Sequence, residues 1–534
     1  MDFNGLKNKK ILVVIPHQDD EIHVAGGVIE KFHNNNDIYV CFTTNGDYVI
    51  PAKYRYKEAI KSLKKLGVEK NKVYFLGYCD QSYSGITHMY TSKKDWTSKN
   101  NISETYGVVG IGEWCYIKNH IHNKLNINNL INDLRELIEF ITPDIIVTND
   151  LDFHPDHIMT ALSVEKAINL ILKNKGNYYP LLLKTFTYEN SYFGPFDFNQ
   201  LYPGESIFKT KDKLLLHNKY FSEEECLKIK INEKFYTLNL FKNVAYKAIK
   251  CHKSQVLTEH AFNMINCNFT YIPRFTNNLM YLANIETSSG QKEYLNDFII
   301  CDSSNILNGN NVNINYDQGI WIPEKNDDKK NIKIFFSDFV KVKYMVFYHG
   351  LNNENIKNIE VKYNGKIIKH KFNNLLKKER ILIDDSVKTI EIKILDNVVK
   401  NGFSEIELYD SIPSIKSNKV LLNDKWTNNY ICFKDEKVKI SIYSYEKKDN
   451  NFDIDLSYSK NVGYDKENLL LSNKSKGFII VKGNNFTEKI FINKNKCLND
   501  INILINPLLN KVNIIIDKFY RKFFVRKWWV HEGW

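Results

Sequence analysis

Ile11-Leu12-Val13-Val14-Ile15-Pro16-His17-Gln18-Asp19-Asp20-Glu21 decides how this chain is read. A run of apolar, mostly β-branched residues ended by proline is a short buried strand rather than one face of a helix. Its C-terminal tip delivers an imidazole and three carboxylates to one place, where open α/β sheets bind their ligands. Three carboxylates beside an imidazole repel one another unless a cation sits among them, and His nitrogen with carboxylate oxygen suits zinc. A second cluster, His154-Pro155-Asp156-His157, follows another apolar run, Ile145-Ile146-Val147-Thr148. The two clusters lie far apart in the chain, so only folding can join them.

Outward from these clusters, strand and helix alternate. Strands are expected over 11–15, 38–43, 73–76 and 144–148, and helices over 24–33, 54–66, 125–140 and 157–172. Gly67 stops the second helix. The pattern predicts an α/β class with a Rossmann-like, doubly wound, mostly parallel sheet and helices on both faces. The polar stretch 84–115 reads as a long loop, a lid or substrate wall. Helical pattern returns over 234–250, followed by His252-Lys253-Ser254-Gln255. Beyond about Gly290, β-type runs at 333–336, 344–348, 359–363 and 389–394 are separated by Asn-, Asp- and Gly-containing turns. That is the pattern of a C-terminal antiparallel β-sandwich or jelly roll. The expected units are residues 1–290, a sandwich over 291–412, and a further β-rich unit over 413–534.

At 534 residues the chain exceeds one ordinary domain. With 43% hydrophobic and 13% aromatic residues it is not a disordered chain. The net charge of +12 is spread mostly as Lys without a long basic block, so no nucleic-acid partner is expected. Nine cysteines with no CxxC pair point to a reducing compartment and away from a thiolate zinc site. The short apolar run leading into His17 is not a signal peptide. No segment reaches the roughly twenty apolar residues of a membrane span. The expected location is therefore cytoplasmic. The tail Lys518–Lys527, with Trp528 and Trp529, alternates cations and aromatics. It reads either as a last element packing its aromatics inward or as a peripheral dock on the inner face of a membrane.

A hydrolytic zinc takes about three protein ligands and keeps one position open for water. The candidate ligands are His17, Asp20 and His157, with Asp19 as the general base. His154 is then left to stabilise the tetrahedral intermediate or protonate the leaving amine, oriented by Asp156. Another divalent metal is the alternative to Zn2+.

Pro16 to Glu21 and His154-Pro155-Asp156-His157 resemble the two signature motifs of the PIG-L (LmbE-like) zinc-dependent deacetylases. The resemblance covers about residues 8–260, with weaker likeness at Arg55-Tyr56-Lys57-Glu58, Leu76 to Asp80, and His252 to Gln255. It implies zinc on His17, Asp20 and His157, Asp19 as base, and His154 as acid or oxyanion histidine. Arg55 and Asp80 match positions that contact sugar hydroxyls or the aglycone. The implied reaction removes the N-acetyl group from a GlcNAc-like unit of a glycoconjugate or lipid-linked glycan.

Two positions depart from the family pattern. Gln18 replaces the usual Pro, and Asp152 stands where some relatives place an oxyanion-holding Tyr. Another donor is then expected, such as a Tyr from the 84–116 loop. Residues 292–411 resemble galactose-binding-like (discoidin-type) modules, on Trp321 and the closing Gly402 to Tyr409. The alternatives are a glycan-binding protein with a non-catalytic metal site and, within the enzyme class, a deacylase for a different amide.

Overall fold

The computed structural model describes residues 1–492 apart from 4, 82–87, 93, 153, 175–176, 188–191, 194–204, 207–219, 223, 238–240, 256–267, 303–318, 353, 412–414, 416–417, 424, 427–428, 431, 445–446 and 485. The basic–aromatic tail at 518–529 lies outside the described residues. The first unit runs β1 (Lys10–Ile15), α1 (Asp20–Phe32), β2 (Asp37–Thr44), α2 (Ala52–Leu66), β3 (Val73–Tyr78), α3 (Trp114–Asn119), α4 (Ile127–Ile141), β4 (Ile145–Asn149), α5 (Pro155–Asn174) and β5 (Leu181–Thr185). A two-residue pair, β6 (Tyr192–Phe193) and β7 (Glu205–Ser206), precedes β8 (Leu227–Lys230), α6 (Glu233–Tyr236), α7 (Val244–Ile249) and β9 (Asn268–Arg274).

The strand order is β3-β2-β1-β4-β5-β9-β8. The first five strands pair in parallel, and β9 and β8 add antiparallel. Ile11, Val13 and Ile15 enter one core while Leu12 and Val14 enter the other, so β1 is covered on both faces. Strand order reverses between β1 and β4. The carboxyl ends of these two strands therefore open a crevice at the switch point, and both His/Asp clusters sit there.

Three helices, α1, α2 and α5, start earlier than apolar periodicity alone gives. Asp20 and Glu21 lie in the first turn of α1, where carboxylates complement the positive end of the helix. Pro155 opens α5, a position that needs no N–H donor. The helical pattern over 234–250 is two short helices, because Asn243 caps a new one: its side chain accepts from Tyr246 N at 2.8 Å. No helix among the described residues is long and apolar enough to cross a membrane.

β10 (Ala283–Thr287) falls inside the expected first unit, yet it pairs with β11 (Asn331–His349) in the next sheet. That antiparallel sheet is completed by β12 (Asn358–Tyr363), β13 (Lys366–Lys371), β14 (Lys378–Ile394) and β15 (Phe403–Tyr409), in the order β10-β11-β14-β12-β13 with β15 on β11. The runs at 333–336 and 344–348 are one strand. Register shifts between Phe335 and Val340, and between Val342 and Tyr344, mark the irregular stretch that its polar residues make look like a turn. Trp321 is fully buried and exchanges backbone hydrogen bonds with Phe403, at 2.8 and 3.1 Å. A Cβ on Gly402 would lie 1.6 Å from the Trp321 carbonyl oxygen, so only glycine fits between them. A further, mostly antiparallel assembly between Asn418 and Ile492 has its own core around Val438, Ile440 and Val481.

Candidate metal centre

His17 and Asp20 leave the tip of β1, and His154 and His157 leave the tip of β4 at the start of α5. Asp20 Oδ2 lies 3.1 Å from His17 Nδ1 and 3.4 Å from His157 Nε2, and it also accepts from the His17 backbone N–H at 3.0 Å. Ligands about 2.0–2.1 Å from a tetrahedral zinc stand roughly 3.3 Å from one another. Asp20 Oδ2 stands at about this spacing from each of the two imidazole nitrogens, and imidazole nitrogen with carboxylate oxygen is a donor set that suits a divalent metal. The His154 ring is 4.7 Å from both the His17 and the His157 rings. His17, His154 and His157 can bring ring nitrogens within 4.8 Å of one another.

Behind two of these imidazoles, those of His157 and His17, stands a carboxylate. Asp152 Oδ2 accepts from His157 Nδ1 at 2.7 Å, with both side chains fully buried. Its other oxygen accepts from His154 N at 2.9 Å. Asp156 Oδ2 lies 3.2 Å from His17 Nε2 and accepts from Gln81 N at 2.9 Å, while Oδ1 lies 3.2 Å from His88 Nε2. The expected role of Asp156 as the carboxylate that orients His154 is thus corrected. In the first turn of α5 its side chain turns across to His17 and His88. Its backbone N–H, which has no intrahelical acceptor at the helix start, donates to His154 Nδ1 at 3.2 Å.

Asp19 precedes α1 with φ of 152°, a conformation uncommon for a residue other than glycine and held here by its surroundings. Its Oδ1 lies 3.5 Å from the Arg55 guanidinium. Arg55 is buried beside Asp19. Asp80 Oδ2 is 3.8 Å from His17 Nε2. Its backbone N–H donates to Asp47 Oδ1 at 2.8 Å, and Tyr106 OH donates to Asp47 Oδ2 at 2.6 Å. The hydroxyl of Tyr106 is therefore engaged, and Tyr116 is exposed and stacked on His122. Residues 252–255 brace the helices beneath: His252 Nε2 meets Glu21 at 2.7 Å, and Ser254 N and Oγ donate to Glu58 at 2.8 and 2.6 Å.

Burial raises the Asp19 carboxyl, and Arg55 opposes it. Burial pushes Asp80 up to about 7 against the pull of His17. For Asp156 burial acts upward, but His17 and His88 hold it below the usual carboxylate range. Burial lowers His154, aided by His157 and His17, and keeps its ring neutral. His88, Gln81 and the orienting role of Asp152 were not read from the sequence. An acid close to a ligating histidine was the available signal for Asp152; nothing local marks His88.

Residues 12–168 match the family described as PIG-L, GlcNAc-PI de-N-acetylase. This segment is a PIG-L-family domain. The PIG-L-family domain runs from β1 into α5 and so contains both His/Asp clusters. Among solved structures, the N,N'-diacetylchitobiose deacetylase from Pyrococcus horikoshii, complexed with its inhibitor MPG, is 19% identical, over 34% of this chain and 62% of that one, with a TM-score of 0.23. A deacetylase triple mutant from the teicoplanin biosynthetic pathway is 13% identical over 50% of this chain and 98% of that one, with a TM-score of 0.27. A family 32 CBM from C. perfringens NanJ, in complex with galactose, is 14% identical over 24% of this chain and 94% of that one, with a TM-score of 0.18. No curated protein matches the sequence.

Proposed function

We propose that the PIG-L-family domain is a metal-dependent N-deacetylase for a GlcNAc-like N-acetylhexosamine unit of a glycoconjugate or lipid-linked glycan. The observation that carries the reading is the meeting of His17 Nδ1 and His157 Nε2 on Asp20 Oδ2, beside the Asp19 carboxylate. His17, Asp20 and His157 would hold the ion, with zinc the fit for this donor set. When bound, the ion supplies an acidified water near neutral pH and a Lewis-acid pull on the acetamide carbonyl.

Asp19, held by Arg55, takes the proton of the attacking water. His154 accepts the Asp156 backbone N–H on Nδ1, so the neutral ring carries its proton on Nε2 and can donate it. That N–H steadies the developing oxyanion, and the proton taken up by Asp19 is passed on to the departing amine. Asp80, at the edge of the cluster, offers an acceptor to a sugar hydroxyl. The products are acetate and a free amino sugar. The test is acetate release from a panel of N-acetylhexosamine conjugates by zinc-loaded protein, with the chelator-treated protein as control. Release that depends on zinc supports the reading; no release from any conjugate, with zinc content confirmed, would overturn it.

A further inference from the structure

A line of buried charges joins the β-sandwich to the loop after β4. Glu407 of β15 lies 3.4 Å from Arg274 of β9, and Arg274 reaches Glu165 of α5, also at 3.4 Å. Glu165 lies 3.0 Å from Lys184 of β5, whose ammonium meets Asp150 at 2.8 Å. These side chains are between 0% and 3% exposed, far from the screening that makes surface pairs weak. The sandwich fixes its own end of the line: Tyr348 OH donates to Glu407 Oε2 at 2.8 Å. Arg274 also donates to the Phe298 carbonyl and lies over that ring at 4.4 Å.

The other end of the line is built into the metal loop. Asp150 Oδ1 accepts from Leu151 N at 2.7 Å, Asp150 N donates to Thr185 O at 2.6 Å, and Asp152 N donates to Asp150 O at 2.9 Å. Asn149 Nδ2 binds the His157 carbonyl at 2.7 Å. The position of Asp150 therefore sets that of Asp152, the carboxylate on His157 Nδ1. A buried charge that loses its partner must shift toward another or draw in water. Removing Glu407 would pull Arg274 onto Glu165 and slacken Lys184 on Asp150.

We infer that Glu407, outside the PIG-L-family domain, is a positioning residue for the metal centre, acting through Arg274, Glu165 and Lys184 on the loop that presents His154 and His157. This rests on the metal-centre reading above. The bland reading is that the charges only hold two units together. The two readings separate on zinc affinity, measured on the full chain by competition with a chromophoric chelator alongside thermal unfolding.

Glu407→Gln is expected to weaken zinc binding roughly 2–30-fold. Tyr348→Phe, which removes one hydroxyl, moves it the same way by less. Ile390→Val, in the sandwich core away from the charges, lowers Tm and leaves zinc affinity unchanged. Wild-type zinc affinity in Glu407→Gln and Tyr348→Phe, whatever their Tm, overturns the coupling; where Glu407→Gln does not fold, Tyr348→Phe decides. His157→Ala separates the two levels. If it binds zinc as well as the wild type, the metal-centre reading falls and the coupling with it.

Discussion

Replacing Asp152 by Asn probes the carboxylate behind His157. Its two oxygens accept from two N–H groups, His157 Nδ1 at 2.7 Å and His154 N at 2.9 Å. An amide has one acceptor oxygen and one donor nitrogen, so one of these bonds must be lost, and an NH2 then faces an N–H in a fully buried place. A hydrogen bond to a charged group contributes about 1.5–3 kcal/mol. At about 1.4 kcal/mol per decade this is on the order of 10–100-fold in metal affinity, the range typical of partners behind metal-binding histidines. Zinc affinity of Asp152→Asn, measured at neutral pH on protein shown to be folded by circular dichroism, should fall by that factor. An affinity within about twofold of wild type would show that His157 is oriented without Asp152 and refute the reasoning.

Further predictions concern catalysis, packing and pH. Asp19→Asn should keep its zinc and lose roughly 10²–10⁴-fold in turnover, because an amide cannot take the water's proton; near-normal acetate release with zinc bound would assign the base elsewhere. Gly402→Ala forces a methyl group onto the Trp321 carbonyl and should cost at least about 3 kcal/mol, read from urea unfolding. Burial pushes the Asp297 carboxyl up to about 8, so the fold favours its neutral form. Its contribution to stability is complete below about pH 4 and is lost as pH rises through about 8. Calorimetry should show Tm falling across that window and a shallower fall in Asp297→Asn.

What could be read from the sequence was what lies close together along it. The apolar run 11–15 and the residues after it carry their own meaning, because a strand and the polar groups at its tip are neighbours in the chain. The same holds for His154 and His157 at the start of α5. Boundaries were less legible where polar residues interrupt a strand: Ser337 and Asp338 look like a turn but sit within β11. Arg55 was legible as a family-like position but not as the partner of Asp19, since that contact depends on how α2 packs beside α1. His88, from the long loop, reaches Asp156 only after the chain has folded across the sheet, and no periodicity reports such a meeting. The pairing of β10 with β11 was hidden for the same reason.

Val346, Tyr348, Leu351 and Tyr409 belong to one apolar cluster with Leu137, Ile138, Ile158 and Leu162 of α4 and α5. Modules that recombine freely in evolution meet through small, polar surfaces that each partner can leave exposed. Here the junction is interior. Exchanging this sandwich for one from another protein would open this shared apolar cluster to water unless the newcomer supplied the same aromatic and aliphatic surface. The two units therefore share one core, and limited proteolysis should release no stable fragment of the PIG-L-family domain.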